Sequence, residues 1–403
     1  VHTALEWGGP EPLVIEDASG HAAETFLPPP GSEGGAAERL VAQALAAPDH
    51  GPPLAAHVVP GDRVAIAVAG DIPQANIVVA AVAECLVAAG VDREGVSVIQ
   101  SAALGVDAGS PTAAGVRIAG AEMFDPTVDG STSYLAADDS GRPLYLARAL
   151  VDADVVVAVG EWGWNPSLGG RSIEGELWPT FARAACRQDL LVALARRGRG
   201  ALSEWKGGMQ EIAWQLGVCA SLRLVRGRGG SLATAIFGLP DEASRQARLA
   251  AAGWCPSVDA MADVTVASLA DPHGGFGSIT AAVAAACRIT RPGGTICVAS
   301  RVAEPPGIIF SRWRQGAPLE GLVHEAVASG DHELIADALQ TRLFARAIDD
   351  HRLVLLSDLD EDTVEELEFG YAASATEVER LAHRAESVVV LAEADRLFPS
   401  IAD

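Results

Sequence analysis

DRVAIAVAGDIPQANIVVAAVAECLVAAGVDREGVSVIQ, residues 62–100, decides the fold. Its opening, residues 62–68 (DRVAIAV), is a short apolar run with Gly61 before it and Gly70-Asp71 after it, which reads as a buried strand. Residues 74–90 then carry apolar side chains at helical spacing and stop on glycine. VSVIQ, residues 96–100, is the next strand. Strand, helix and strand with short connections make a parallel pair joined by a right-handed crossover.

Outward from this unit the same grammar recurs. Residues 153–160 (ADVVVAVG) read as a second buried strand, followed by a loop and then by helical patterning over 180–197 and 204–216. An extended stretch at 233–237 and a helix at 241–252 follow. The pattern then restarts: strand 262–269 (ADVTVASL), glycine-rich loop 271–278, helix 279–289 and strand 294–300. Helices over 319–329 and 333–347, a strand at 352–357 and a last strand at 387–392 complete the chain. The segment 20–60 reads as Pro-, Gly- and Ala-rich, with one helix near 36–47. The expected architecture is α/β: two domains with mainly parallel sheets and flanking helices, and a cleft between them. Residues 1–255 are assigned to the first domain and 256–385 to the second, with the final strand in 386–403 returning to the first.

Composition limits the function. A chain of 403 residues exceeds what one core usually supports. Its formal net charge of −24 repels phosphate backbones and anionic lipid, so neither nucleic acid nor membrane is an expected partner. Arginines cluster at Arg196, Arg197 and Arg199 and at Arg223, Arg226 and Arg228, and are read as a solvated helix end and a turn. The six cysteines have no CxxC spacing, which suggests reduced core thiols rather than zinc or disulfides. The N-terminal stretch shows no charged region followed by an apolar run, so a cytoplasmic location is expected. Lys206 is the one lysine, so any mechanism requiring a catalytic lysine has a single candidate.

Ligands of open parallel sheets bind beyond the carboxyl ends of strands, and three loops qualify. The first holds Asp71 and Gln74; Asp71 is read either as a ligand contact or as a cap of the next helix. The second holds Trp162, Trp164, Asn165, Gly169, Gly170, Arg171, Ser172, Glu174 and Glu176. Its glycines allow close backbone approach and Arg171 can grip a carboxylate or phosphate. The tryptophans are read as a ligand wall or as packing against the second domain. The third loop, Asp271 to Ser278, joins His273 to Gly274, Gly275 and Ser278 in a turn that feeds a helix.

At these loops the chain resembles the nickel-dependent lactate racemase family and its wider group of 2-hydroxyacid racemases and epimerases. The likeness runs through Asp71 after DRVAIAV, residues 141–161 followed by Gly169-Gly170-Arg171-Ser172, residues 262–275, residues 291–300 and residues 343–359, in order. The resemblance implies two α/β domains with an active site between them. It also implies a nickel pincer nucleotide tethered to a lysine, with its nickel held by a histidine, and a further histidine pair for acid–base work. Residue by residue, those roles do not carry over. Ser172 stands where the tethering lysine follows GGR, and Trp164 and Asn165 stand near the histidine before it. Ser101 to Val106 replace a glycine–x–histidine–arginine run, Gln74 replaces an arginine, and Ala281 or a neighbour replaces a lysine.

The resemblance therefore suggests a retained scaffold without the family chemistry: no tethered cofactor, no metal, and a small anionic molecule in the interdomain cleft, for sensing or as a non-catalytic partner. The alternative is a racemase, epimerase or related isomerase of a 2-hydroxy acid or sugar acid with altered catalytic residues, drawn from Glu174, Glu176, Asp271 and His273. A dinucleotide-dependent oxidoreductase lacks support, because neither strand–loop–helix unit shows a full GxGxxG. Self-association into a homo-oligomer is left open.

Overall fold

The computed structural model of the chain describes residues 4–21, 23–101, 120–137, 141, 143–173, 175–218, 220–348 and 350–402. In chain order its principal strands are β1 (Glu24–Phe26), β2 (Val64–Ala69), β3 (Val96–Ser101), β4 (Gly120–Phe124), β5 (Val155–Glu161) and β6 (Ser221–Arg226). They continue as β7 (Leu232–Gly238), β8 (Ala262–Ser268), β9 (Thr290–Ala299), β10 (Arg352–Leu356), β11 (Gly370–Tyr371) and β12 (Val388–Leu391). Two six-stranded sheets result, ordered β7-β6-β5-β2-β3-β4 and β11-β10-β9-β8-β12-β1. All pairings are parallel except β6 with β7.

The parallel arrangement explains the apolar runs. Every residue of β2, VAIAVA, is buried, because a parallel sheet is covered on both faces. Helices Gly34–Ala46 and Ala75–Ala88 close one face of the first sheet with Val41, Leu45, Val78 and Val82. Leu150, Leu177 and Phe181 close the other. Helix Phe276–Ala286 lies in the core of the second sheet, and Phe276, Phe310 and Phe344 meet there edge to face. Helix Ala375–Ala382 and the ribbon of Ala4–Leu5 with Leu13–Val14 cover its opposite face. Each such buried aliphatic or aromatic side chain contributes about 1.5–3 kcal/mol.

Two expectations are corrected. The final strand does not return to the first sheet: β12 pairs with β8 and β1 inside the second. The crossing is made instead by the N-terminus, since β1, unread in the Pro- and Gly-rich segment, joins the second sheet at its edge before β2 opens the first. A three-residue strand carries too little periodicity to be seen in sequence. The second correction concerns the arginines: Arg223 and Arg226 sit on β6 and are buried, whereas Arg196, Arg197 and Arg199 are exposed as expected. No helix of the described residues is long and apolar enough to cross a membrane.

Candidate functional site

Each sheet has a point where the strand order reverses. In the first, β2 has β3 on one side and β5 on the other; in the second, β8 has β9 and β12. The chains leaving such strands diverge to opposite sides and open a crevice at the carboxyl ends. The segments after β5, β8 and β12 line one cleft of 510 Å³. A larger, more open groove of 810 Å³, lined by Asp263, Arg291, Arg352 and Arg384 among others, lies at the opposite ends of the second sheet's strands. The cleft at the reversal points is the candidate site.

A buried ion pair anchors its wall. Glu161 ends β5, and its Oε2 accepts hydrogen bonds from Arg226 Nε at 2.9 Å and Nη2 at 2.7 Å. Arg226 Nη2 also reaches the backbone oxygen and Oδ2 of Asp71, both at 3.1 Å. From the second sheet Arg396 Nη1 donates to Glu161 Oε1 at 3.2 Å. One carboxylate thus holds an arginine from each sheet, the two-sided charge balance a buried carboxylate needs.

The turn after β12 supplies two more groups. Glu393 adopts a left-handed φ of 53°, and its Oε1 accepts the Gly229 N–H at 2.8 Å, a second tie between the sheets. Its Oε2 is buried with no hydrogen-bond partner among the described residues. Burial raises the Glu393 carboxyl above its ordinary value, against the Gly229 N–H bond that lowers it. Asp395 lines the cleft and accepts the Ala270 N–H at Oδ1, 2.8 Å away. Burial raises its carboxyl too, with neighbouring Arg396 opposing. The remaining polar lining is Asn165, Ser167, Ser172, Ser278, Thr280 and Gln340, beside the uncapped start of helix Phe276–Ala286.

The residues chosen from sequence divide. Trp164, Asn165, Ser172, Gly275 and Ser278 line the cleft. Gly169, Gly170 and Arg171 do not. Gly170 and Arg171 pair with Asn165 and Trp164 in a two-residue ribbon, and Gly170 leaves the space that Arg199 fills. Arg171 is bound to Glu176 and lies over the Trp162 ring, 5.6 Å from its centroid. Glu176 also accepts from Arg223 Nη2 at 2.9 Å. Burial would raise the Glu176 carboxyl, but Arg223 and Arg171 outweigh it and hold it low. Arg171 is therefore paired within an internal network, outside the cleft lining.

Both tryptophans pack: Trp162 is buried, and Trp164 stacks on Phe398 at 5.0 Å while presenting part of its surface to the cleft. Asp71 does not cap the following helix, which begins after Gln74 with no side-chain cap; it binds Arg226 instead. Gln74 has a left-handed φ of 53° and bridges Gly34 and Gly230. Asp271 and His273 are exposed and close on each other in a local turn, His273 N to Asp271 Oδ1 at 3.0 Å. With Gly274 they lie outside the cleft lining. Glu174 and residues 102–106 fall outside the described residues. Lys206 falls in helix Gly200–Gln215.

Sequence reasoning missed Glu161, Arg226, Gln340, Asp395 and Arg396. The strand-end rule could have found Glu161 and Asp395, since both sit at or just beyond the carboxyl end of a strand. Gln340 comes from mid-helix in His332–Ile348 and had no such signal.

No family model matches the chain, and no curated protein matches it. Solved structures do. A protein from Thermotoga maritima is similar with TM-score 0.64 at 9% identity, over 91% of this chain and 98% of that one. The lactate racemase apoprotein from Thermoanaerobacterium thermosaccharolyticum is similar with TM-score 0.72 at 15% identity, over 100% of both chains. From end to end, the chain has the fold of lactate racemase.

Proposed function

We propose that this chain is a divergent lactate-racemase-like protein that binds a small anionic molecule in the cleft between its sheets and does not use a tethered nickel cofactor. The observation that carries the reading is the cleft's donor set. Among the described lining residues there is no lysine, histidine or cysteine. A serine hydroxyl, that of Ser172, stands at the tether position and cannot form a thioamide. These lining residues do not fit the family cofactor.

What the lining offers is recognition. Arg396 lines the cleft with its Nη1 held by Glu161, and a ligand carboxylate would share that guanidinium. The start of helix Phe276–Ala286 adds partial positive charge and backbone N–H groups, and Ser278, Asn165 and Gln340 add neutral hydrogen-bonding groups. Of the sequence-chosen groups of the altered-isomerase alternative, Asp271 and His273 lie outside the cleft lining, and Glu176 is paired with Arg171 and Arg223.

Isothermal titration of the whole chain with small hydroxy and other organic acids, without nickel, tests the reading. Saturable 1:1 binding that weakens in Arg396→Gln supports it. No binding of any acid at millimolar concentration counts against the cleft ligand. Stoichiometric nickel and a nucleotide adduct after co-expression with the cofactor's biosynthetic enzymes would overturn the loss of the cofactor.

A further inference from the structure

We infer that the second sheet carries a separate anion site in the 810 Å³ groove at the amino ends of its strands, and that it takes a short phosphate chain. Four arginines line that groove: Arg291 near the start of β9, Arg352 at the start of β10, and Arg380 and Arg384 in and just beyond helix Ala375–Ala382. Acidic residues outnumber Lys and Arg 53 to 29 in this chain, so an arginine left without a carboxylate is the exception. Arg352, Arg380 and Arg384 are exposed and make no ion pair among the described residues. The acids of the lining are Asp263, Glu377 and Glu386. Asp263 is spent: its Oδ1 binds Arg291 at 2.7 Å, and its Oδ2 accepts the Glu386 and Ser387 N–H groups, both at 3.1 Å. Glu377 accepts the Ala373 N–H at 2.9 Å.

A helix end favours cations, which accounts for Arg380 and Arg384 one at a time. It does not account for Arg291 and Arg352, which reach the same groove from two strand starts. Like charges gathered on a concave surface repel, and a ligand with several negative charges relieves that repulsion where one carboxylate would answer a single guanidinium. The overall charge of −24 does not forbid it. At physiological salt, screening acts over about 8 Å, so an anion in the groove meets chiefly the local arginines. The lining also limits what is read. Its apolar members are Val264, Leu381 and Ala385, and the described lining has no aromatic ring on which a base could stack. Gly293 has a φ of 76° and open space where a side chain would stand, which leaves the groove room there. Recognition therefore falls on the phosphates and not on a base.

The test is isothermal titration of the whole chain with inorganic tripolyphosphate and, separately, with adenosine triphosphate, both without divalent metal. Saturable 1:1 binding of tripolyphosphate is expected, at least as tight as that of the nucleotide, and weaker at about 0.2 M than at about 0.05 M salt. Arg352→Gln should weaken it about two- to tenfold, and Arg380→Gln combined with Arg384→Gln by at least about tenfold. Arg39→Gln, exposed and outside the groove, should leave it unchanged. No binding of tripolyphosphate at millimolar concentration overturns the site. Binding that is indifferent to salt or to the groove variants also overturns it, by placing the anion elsewhere. A nucleotide held more than about tenfold tighter than tripolyphosphate overturns recognition by phosphate alone. Should the double variant fail to fold, Arg352→Gln decides alone.

Discussion

Glu161 on the first sheet stands between two arginines, and the closer, Arg226, lies 2.7 Å from it with both side chains about nine-tenths buried. This pair ties the carboxyl ends of β5 and β6 together at the mouth of the cleft. Through Arg396 the same carboxylate also reaches the turn after β12.

Removing one partner should therefore cost more than removing both. Arg226→Met leaves Glu161 buried against Arg396 alone, and Asp71 loses its contact as well. A loss of about 3–5 kcal/mol is expected, read from urea denaturation. The double variant Arg226→Met with Glu161→Leu should be distinctly more stable than the sum of the single changes. Additive losses would show that the pair is not energetically coupled.

Arg396 is expected to separate binding from stability. Its side chain is 31% exposed, and Arg226 still satisfies Glu161 in its absence. Arg396→Gln should weaken binding of a carboxylate ligand by about ten- to a hundredfold. Its thermal midpoint should stay within about 4 °C of wild type. Unchanged affinity would place the carboxylate elsewhere in the cleft.

The buried carboxyls make stability depend on pH with a definite sign. In the folded protein burial raises Asp395 and Glu393 above their ordinary values of 3.8 and 4.5. The folded state then holds protons that the unfolded chain has released. The stability they contribute is complete below those ordinary values and is lost as pH rises through the raised ones. Glu176, held low, acts oppositely: its contribution is present above 4.5 and is lost as pH falls through its depressed value. Urea midpoints of wild type and Asp395→Asn, compared from acid pH upward, should diverge in favour of the variant as pH rises above about 4. Parallel curves would show that Asp395 is not perturbed.

A glycine at the end of β5 should be intolerant of substitution. A Cβ at Gly160 would stand 2.3 Å from the Gly175 carbonyl oxygen and 2.7 Å from its Cα, so backbone meets backbone. That oxygen also accepts from Arg223 Nη1 at 2.6 Å, which leaves it little room to move. Gly160→Ala should cost about 1–3 kcal/mol, the range for overpacking, with a larger effect if the Arg223 bond breaks. Chemical denaturation measures it. A variant as stable as wild type would show that the 161–175 loop yields.

The amino-acid sequence by itself determined the layers. Runs such as VAIAVA and ADVVVAVG admit little but a strand covered on both faces, and the glycines after the helices mark the turns between them. Those are local, periodic signals. The loops at the strand ends were legible for the same reason, and five of their chosen residues do face the cleft. Tertiary structure alone decided which sheet each terminal strand joins, because β1 and β12 are short and their partners are fixed by register across hundreds of residues. It also decided what the arginines do. Arg171 looked available and is spent on Glu176; Arg226 reads as part of a turn and is buried on Glu161. An ion pair is a contact between residues 65 positions apart here, and no spacing in the chain announces it. Charge type is written in the sequence; which charge is left for a ligand is settled only when the others have found their partners.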